Sequence, residues 1–331
     1  MKIAFFEINK WEEETLEKDF QGHFLKFFTE PLELANCQEI KGFDIVSVFI
    51  YSKITAEILD KLPKLKMITT RSTGFDHIDL TECQKRNIAV CNVPSYGENT
   101  VAEHTFALIL ALSRNVHKSY VRGLRGDFTI EGLKGFDLKD KVLGVVGAGH
   151  IGLHVIRIAK GFGMRVLAFD TNQNKFLAEV LGFEYVPFDC LLANSDIITL
   201  HAPASESTYH LINKQNIKQI KKGVILINTS RGSLVETDAL LEAMDKGILA
   251  GAGFDVLEGE ELIKEEKQLL YDKENPEKLK QLLKDHIILS KDNVVYTPHI
   301  AFYSQEALER ILETTVKNIT SFVENKPQNL I

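Results

Sequence analysis

A basic excess is missing from this chain: 46 Asp and Glu outnumber 39 Lys and Arg, which are spread from end to end. With no concentrated positive face to neutralise a phosphate backbone, no nucleic-acid partner is expected. Paired cysteines are missing too. Cys37, Cys83, Cys91 and Cys190 stand far apart without a CxxC pair, which argues against a disulfide framework and a thiolate zinc site. No metal is expected, and the default compartment is a reducing cytoplasm. No apolar run approaches the ~20 residues of a membrane span, so no membrane partner is expected. The opening Met-Lys-Ile-Ala-Phe-Phe-Glu meets charge too soon for a signal peptide. Repeats, low-complexity tracts and Gly/Ser linkers are absent, so the domains should be closely coupled rather than tethered. What remains is an ordinary globular composition, 44% hydrophobic and 26% charged over 331 residues. That is enough for about two domains, each with a core, and suits small-molecule chemistry.

Short apolar runs at 2–6, 44–49, 66–69 and 88–91 alternate with helix-length segments. The alternation resumes at 141–146, 165–169, 196–200, 223–227, 249–254 and 294–296. This pattern predicts an α/β protein with two groups of parallel strands covered by helices on both faces. Between the groups, 101–116 is apolar except for Glu103, His104, Thr105, Ser113, Arg114 and Asn115, and reads as a buried connecting helix. The Glu- and Lys-rich stretch 258–292 reads as a solvated insertion of short helices.

The run 141–146 leads directly into Gly147-Ala148-Gly149-His150-Ile151-Gly152 and then into a helical pattern. Strand, GxGxxG and helix in that order form the dinucleotide fingerprint. Gly147 permits the tight turn, Gly149 lets a pyrophosphate approach the backbone, and Gly152 lets helix and strand pack closely. The helix N-terminus supplies free amides and the positive end of its dipole. The next run delivers Asp170 where an acid should meet the ribose hydroxyls. A carboxylate there repels a 2′-phosphate, and Thr171 and Asn172 bring no compensating cation, so the predicted cofactor is NAD rather than NADP. Because the fingerprint begins near residue 142, the first ~97 residues, which contain no GxGxxG, are read as a substrate-side domain. His150 and His154, spaced i, i+4, have no third metal ligand in view and read as surface or packing residues. His104, beside Glu103 on the apolar helix, reads as a hydrogen-bonded structural residue. His201 either borders the adenosine pocket or caps its strand.

Reducing a ketone by hydride transfer calls for a cation that orients the substrate and an acid that protonates the developing alkoxide. Arg231, after the apolar run 223–227, and His299, after 294–296, fall where open α/β sheets build their sites. A carboxylate beside an imidazole fixes its ring and favours its charged form. Asp255, Glu258, Glu260 and Glu261 all follow the run 249–254, and composition does not choose among them.

Six motifs in order span nearly the whole chain: Thr70-Arg71-Ser72-Thr73-Gly74-Phe75-Asp76-His77-Ile78-Asp79; Asn92-Val93-Pro94-Ser95-Tyr96 leading to Thr100-Val101-Ala102-Glu103-His104; the fingerprint; Asn228-Thr229-Ser230-Arg231-Gly232; Phe254-Asp255-Val256-Leu257-Glu258-Gly259-Glu260; and Thr297-Pro298-His299-Ile300-Ala301-Phe302-Tyr303. In these the chain resembles the D-isomer-specific 2-hydroxyacid dehydrogenases, and within them the D-lactate dehydrogenase branch. The resemblance implies two Rossmann-like doubly wound parallel-sheet domains, the nucleotide-binding one (100–298) inserted into a flavodoxin-like substrate domain (1–99 plus 299–331). Segment 304–323 then crosses back beside the N-terminal strands, and substrate sits in a cleft that closes to exclude water. The resemblance makes Arg231 the substrate-binding arginine, Glu260 the carboxylate partner and His299 the proton donor. It gives Ser72, Thr73, Gly74, Tyr96 and Tyr303 to the substrate. To NAD it gives Thr100, Gly147, Gly149, His150, Ile151, Gly152, Asp170, Ala202, Pro203, Thr229, Ser230 and Asp255. It also implies a homodimer that reduces pyruvate to D-lactate reversibly. The alternatives are a reductase of glyoxylate, hydroxypyruvate or a larger 2-oxo acid, or an NADH-sensing binding protein of the corepressor kind.

Overall fold

The structure, a computed structural model, describes residues 1–260 and 276–331. They divide into two units, Met1–Tyr96 with Ser304–Ile331, and Gly97–Tyr303. In the first unit, β1 (Lys2–Phe5), α1 (Lys10–Asp19), β2 (Phe24–Phe27), β3 (Ile45–Val48), α2 (Ala56–Lys61), β4 (Met67–Thr70), α3 (Leu80–Lys85) and β5 (Ala89–Cys91) build a sheet in the order β2-β1-β3-β4-β5. Every pair is parallel. The central strands are short β-branched runs buried on both faces, as crossover helices require. Alternation assigns Ile3 and Phe5 to one core and Ala4 and Phe6 to the other. Helix starts are set locally: the Asp79 carboxylate accepts from the Glu82 amide at 3.0 Å and opens α3.

The second unit begins with α4 (Glu98–Ser113) and α5 (Val116–Leu124). There follow β6 (Val142–Val146), α6 (His150–Gly161), β7 (Arg165–Phe169), α7 (Lys175–Leu181), β8 (Glu184–Tyr185), α8 (Phe188–Asn194), β9 (Ile197–Leu200), β10 (Val224–Asn228), α9 (Thr237–Asp245), β11 (Leu249–Phe254), α10 (Pro276–Leu289) and β12 (Val294–Tyr296). Its parallel sheet runs β12-β11-β10-β9-β6-β7-β8, reversing direction between β6 and β9. A crevice therefore opens beyond the carboxyl ends of those two strands, the place where such sheets bind ligands. The apolar helix read at 101–116 starts earlier and stops at Ser113, because Asn115 turns left-handed (φ 51°) and starts α5 in a new direction.

Glu261 and the rest of 258–292 up to residue 275 lie outside the described residues. The described remainder differs from a set of short solvated helices: α10 is one 14-residue helix whose Leu282 and Ile288 are buried. The last helix, α11 (Gln305–Val323), is capped by Ser304 and returns to the first unit. Its Leu312 and Ile319 complete the core under Ile3 and Phe5. The tail then pairs with the β5 edge, where the Ile331 amide donates to Val90 O at 3.0 Å. The two sheets are thus two doubly wound parallel folds, one inserted into the other. Residues 299–303 fall in the second unit, which differs from a boundary at 298, because the Asp255 carboxylate accepts from the Ile300 and Ala301 amides.

Candidate active site

At the carboxyl end of β6 the chain turns through Gly147 with φ +93°, where a Cβ would lie 2.7 Å from His201 C. A Cβ on Gly152 would lie 2.0 Å from Gly147 O, so the helix can approach the strand only with glycine there. Gly149, in contrast, faces open space: among the described residues, beyond its immediate chain neighbours, nothing lies within 4 Å of an added Cβ. Beyond it α6 presents the amides of its first turn, including those of His150 and Ile151. Asp170 follows β7, and its carboxylate accepts from the Ala148 and Asn172 amides, each at 2.7 Å. The acid expected to meet the ribose therefore holds the glycine turn through Ala148. This cradle fits a dinucleotide pyrophosphate without change.

The remaining expected cofactor residues surround the same edge of the unit. Thr100 lies in the first turn of α4. Ala202 and Pro203 follow β9, and Ala202 O accepts from Ser230 Oγ at 2.5 Å. Thr229 is anchored to Thr105 by hydroxyls 2.9 Å apart. Asp255 has a different occupation from the expected nucleotide contact. It is 1% exposed, and its carboxylate accepts from the Thr297 hydroxyl at 2.5 Å and from the amides of Ile300 (3.0 Å) and Ala301 (2.8 Å). A buried carboxylate is costly unless donors surround it, and these three bend the 297–301 loop around it. His104 extends the network, its Nε2 lying 2.9 Å from Thr297 Oγ1 and 3.5 Å from Asp255. Burial pulls the His104 pKa down and Asp255 pulls it back up, with burial the larger effect.

That loop holds His299 in the left-handed region at φ 55°, a conformation costing about 1–2 kcal/mol for an L residue. The His299 amide is tied to Asp255 O at 2.8 Å. In this pose the imidazole Nδ1 lies 2.7 Å from Glu260 Oε1. Glu260 is steadied in turn by the Leu257 amide, which donates to Oε2 at 3.2 Å. Of the acids that composition left open, Glu260 meets the histidine, and Glu258 does not. Glu258 instead accepts from the Thr237 amide and hydroxyl and pairs with His210 at 2.5 Å. Its carbonyl takes a bond from Gln281 of α10, so it anchors the segment that carries Glu260.

Arg231 begins the turn after β10. Asn228 Nδ2 donates to its carbonyl at 2.8 Å, and its Nη1 donates to Ser230 O at 2.9 Å. The next residue, Gly232, packs so tightly that a Cβ would lie 2.1 Å from Leu257 O. Sequence reasoning missed that contact, which brings the arginine turn against the Glu260 segment; a glycine directly after the arginine was the only signal. Among the described residues, no group of His, Cys, Asp or Glu is arranged to hold a metal ion. His150 pairs with Glu98 at 3.6 Å, and His154 Nδ1 lies 3.1 Å from Arg157.

In the first unit, Ser72, Thr73 and Gly74 form the turn after β4. Tyr96 O accepts from Arg310 Nε at 2.6 Å. Tyr303, in the second unit, lies edge-on to Phe302 with ring centroids 5.8 Å apart.

Comparison with known proteins agrees with this geometry. The family described as "D-isomer specific 2-hydroxyacid dehydrogenase, NAD binding domain" matches residues 106–301. A D-lactate dehydrogenase of Escherichia coli is 34% identical over 328 residues, covering 97% of this chain and 96% of that protein. A glyoxylate reductase of Korarchaeum cryptofilum is 34% identical over 323 residues, covering 96% and 91%. The crystal structure of D-lactate dehydrogenase from Aquifex aeolicus complexed with NAD and lactic acid superposes with a TM-score of 0.89 at 39% identity, covering 98% of this chain and 96% of that one. Fold, nucleotide cradle and relatives converge on one assignment: this chain belongs to the D-isomer-specific 2-hydroxyacid dehydrogenases, NAD-dependent oxidoreductases.

Proposed function

We propose that the chain is a D-lactate dehydrogenase, interconverting pyruvate and D-lactate. The observation that carries the chemistry is the 2.7 Å contact between His299 and Glu260. With Nδ1–H donating to Glu260, the outer nitrogen Nε2 is the one that exchanges a proton with substrate. NADH, when bound, supplies the hydride. Gly147, Gly149 and the first amides of α6, with His150 and Ile151, take its pyrophosphate. Asp170 takes the ribose, while Gly152, Thr100, Ala202, Pro203, Thr229 and Ser230 shape the rest of the nucleotide surface.

On the substrate side, the Arg231 fork binds the carboxylate and polarises the 2-oxo group. By the family resemblance, the amides of Ser72, Thr73 and Gly74 and the side chains of Tyr96 and Tyr303 are further substrate-binding groups, each taken within its own unit. As hydride reaches C2, the proton on His299 Nε2 passes to the oxygen, and solvent restores it afterwards. In the reverse direction Nε2 accepts the hydroxyl proton. Asp255, Thr297 and His104 hold the loop that aims the imidazole. Four free thiols, three of them buried, suit a reducing cytoplasm.

Pyruvate is favoured as substrate by the relatives whose names give D-lactate dehydrogenase. Glyoxylate is the second reading, because a glyoxylate reductase is equally identical. An initial-rate panel of 2-oxo acids with NADH and NADPH, with the configuration of the product determined, tests the proposal. D-lactate formed from pyruvate with NADH, at a higher kcat/KM than glyoxylate, supports it. Preference for glyoxylate, or an L product, would overturn it.

A further inference from the structure

We propose that Arg71 is a positioning residue for the substrate-carboxylate loop Ser72-Thr73-Gly74, holding three turns at the carboxyl edge of the first sheet in one arrangement. Arg71 directly follows β4 and is 2% exposed, the largest fully buried side chain described. Its Nη2 donates to Phe6 O at 2.8 Å and Glu7 O at 2.7 Å, and its Nη1 donates to Ser47 Oγ at 3.2 Å. Nε lies 3.7 Å from the buried Glu12 carboxylate, and the guanidinium sits over the Phe49 ring at 5.7 Å.

The turn after β1 is therefore gripped through two consecutive carbonyls. That grip holds Glu7 left-handed, at φ 55°. So placed, the Glu7 carboxylate accepts from the amides of Phe49 (3.0 Å), Tyr51 (2.8 Å) and Ser52 (3.2 Å) and from Ser52 Oγ at 2.5 Å. One buried cation thus ties the turn after β1 to the turn after β3, and through its own backbone to the turn after β4. An apolar side chain would pack between these strands at lower desolvation cost, but it could not hold two carbonyls and a hydroxyl in register. Lysine has the charge without the planar fork.

The turn that Arg71 begins is finished from the other side. Val93 N donates to Ser72 O (3.1 Å), Thr73 Oγ1 to Val93 O (2.8 Å), Asn92 Nδ2 to Thr73 O (2.9 Å) and Ser72 Oγ to Gly74 O (2.6 Å). These bonds consume the carbonyls of the turn. Among the described residues, the amides of Ser72, Thr73 and Gly74 make no backbone hydrogen bond, a set of donors suited to a carboxylate.

The inference rests on reading that turn as part of the substrate site, and it is tested in the full-length enzyme with Arg71→Lys and, as a milder change, Glu7→Gln. A misaimed anion site weakens substrate and leaves nucleotide binding alone. The expected result is a KM for pyruvate raised ~10-fold or more, kcat within about threefold of the parent, and NADH affinity by fluorescence titration within about twofold. A role confined to stability would lower the melting temperature and leave KM in place. If Arg71→Lys does not fold, Glu7→Gln decides alone. Folded variants whose pyruvate KM stays within about twofold of the parent overturn the inference. Absence of 2-oxo acid turnover in the unmodified protein would instead overturn the functional reading, and this inference with it.

Discussion

Asp170, proposed above to take the ribose, is already part of the scaffold. Its two oxygens are taken by the amides of Ala148 and Asn172, so the carboxylate is fixed before any nucleotide arrives. A 2′-phosphate brought against it meets a charge that cannot rotate away. Replacing Asp170 with Ala is expected to raise kcat/KM for NADPH relative to NADH by about tenfold or more. A ratio unchanged from the parent in paired initial-rate assays would show that the discrimination lies elsewhere. At this scale the sequence was most legible where a residue type has one use, as with the glycines of the fingerprint. It was least legible where several acids follow one strand. Asp255, Glu258 and Glu260 stand within six positions, yet one organises a loop, one anchors a helix and one meets the histidine. Which is which depends on partners far away in the chain, and motif resemblance rather than spacing singled out Glu260.

Elements, in contrast, announced themselves by pattern. Ten strands coincide with apolar runs visible in the sequence. The two strands not read, β2 and β8, lie at sheet edges, where little burial is needed: β2 is half-exposed and carries Lys26, and β8 is two residues long. The loop after β12 is held by the Thr297 hydroxyl, which donates to Asp255 and stands beside His104. Thr297→Val should lower stability by about 1–2 kcal/mol in urea unfolding and lower kcat, because His299 sits two residues on. A valine variant with both quantities unchanged would remove the loop from the account.

The turn after β9 gives a pH prediction. His201 Nε2 pairs with Thr199 Oγ1 at 2.9 Å, while Nδ1 is buried with no hydrogen-bond partner among the described residues. Burial pulls its pKa from 6.5 down to about 3. The folded value lies below the unfolded one, so the unfolded chain takes up the proton first as pH falls. The stability linked to this group is complete above about pH 6.5 and declines towards pH 3, by at most ~1.4 kcal/mol per pH unit. Urea midpoints measured between about pH 7 and pH 5 should fall more steeply for the parent than for His201→Asn. Parallel slopes would contradict this.

At the scale of the molecule, each unit owns a doubly wound sheet, and the chain leaves the first unit and returns to it through α11. The alternation of runs showed two groups, whereas the return of the last helix was legible only through family resemblance. A homodimer, implied the same way, is proposed on a surface that the structure leaves apolar. No residue of α5 is buried, and Phe128 and Ile130 just beyond it are 85% and 86% exposed. Clusters of that kind mark association surfaces. Light scattering should report twice the chain mass of 37.4 kDa, and Leu124→Asp with Phe128→Asp should shift the mass towards one chain. A monomer in the unmodified protein would refute the dimer.

The central claim is that the imidazole of His299, aimed by Glu260 and a left-handed turn, moves the proton while the glycine cradle independently holds the nucleotide. The most direct test is His299→Gln, assayed for NADH-dependent pyruvate reduction across pH and for NADH affinity in the same preparation. The account predicts a loss in kcat of roughly 10²–10⁴-fold with NADH affinity unchanged. Full turnover by the glutamine variant at any pH would contradict it.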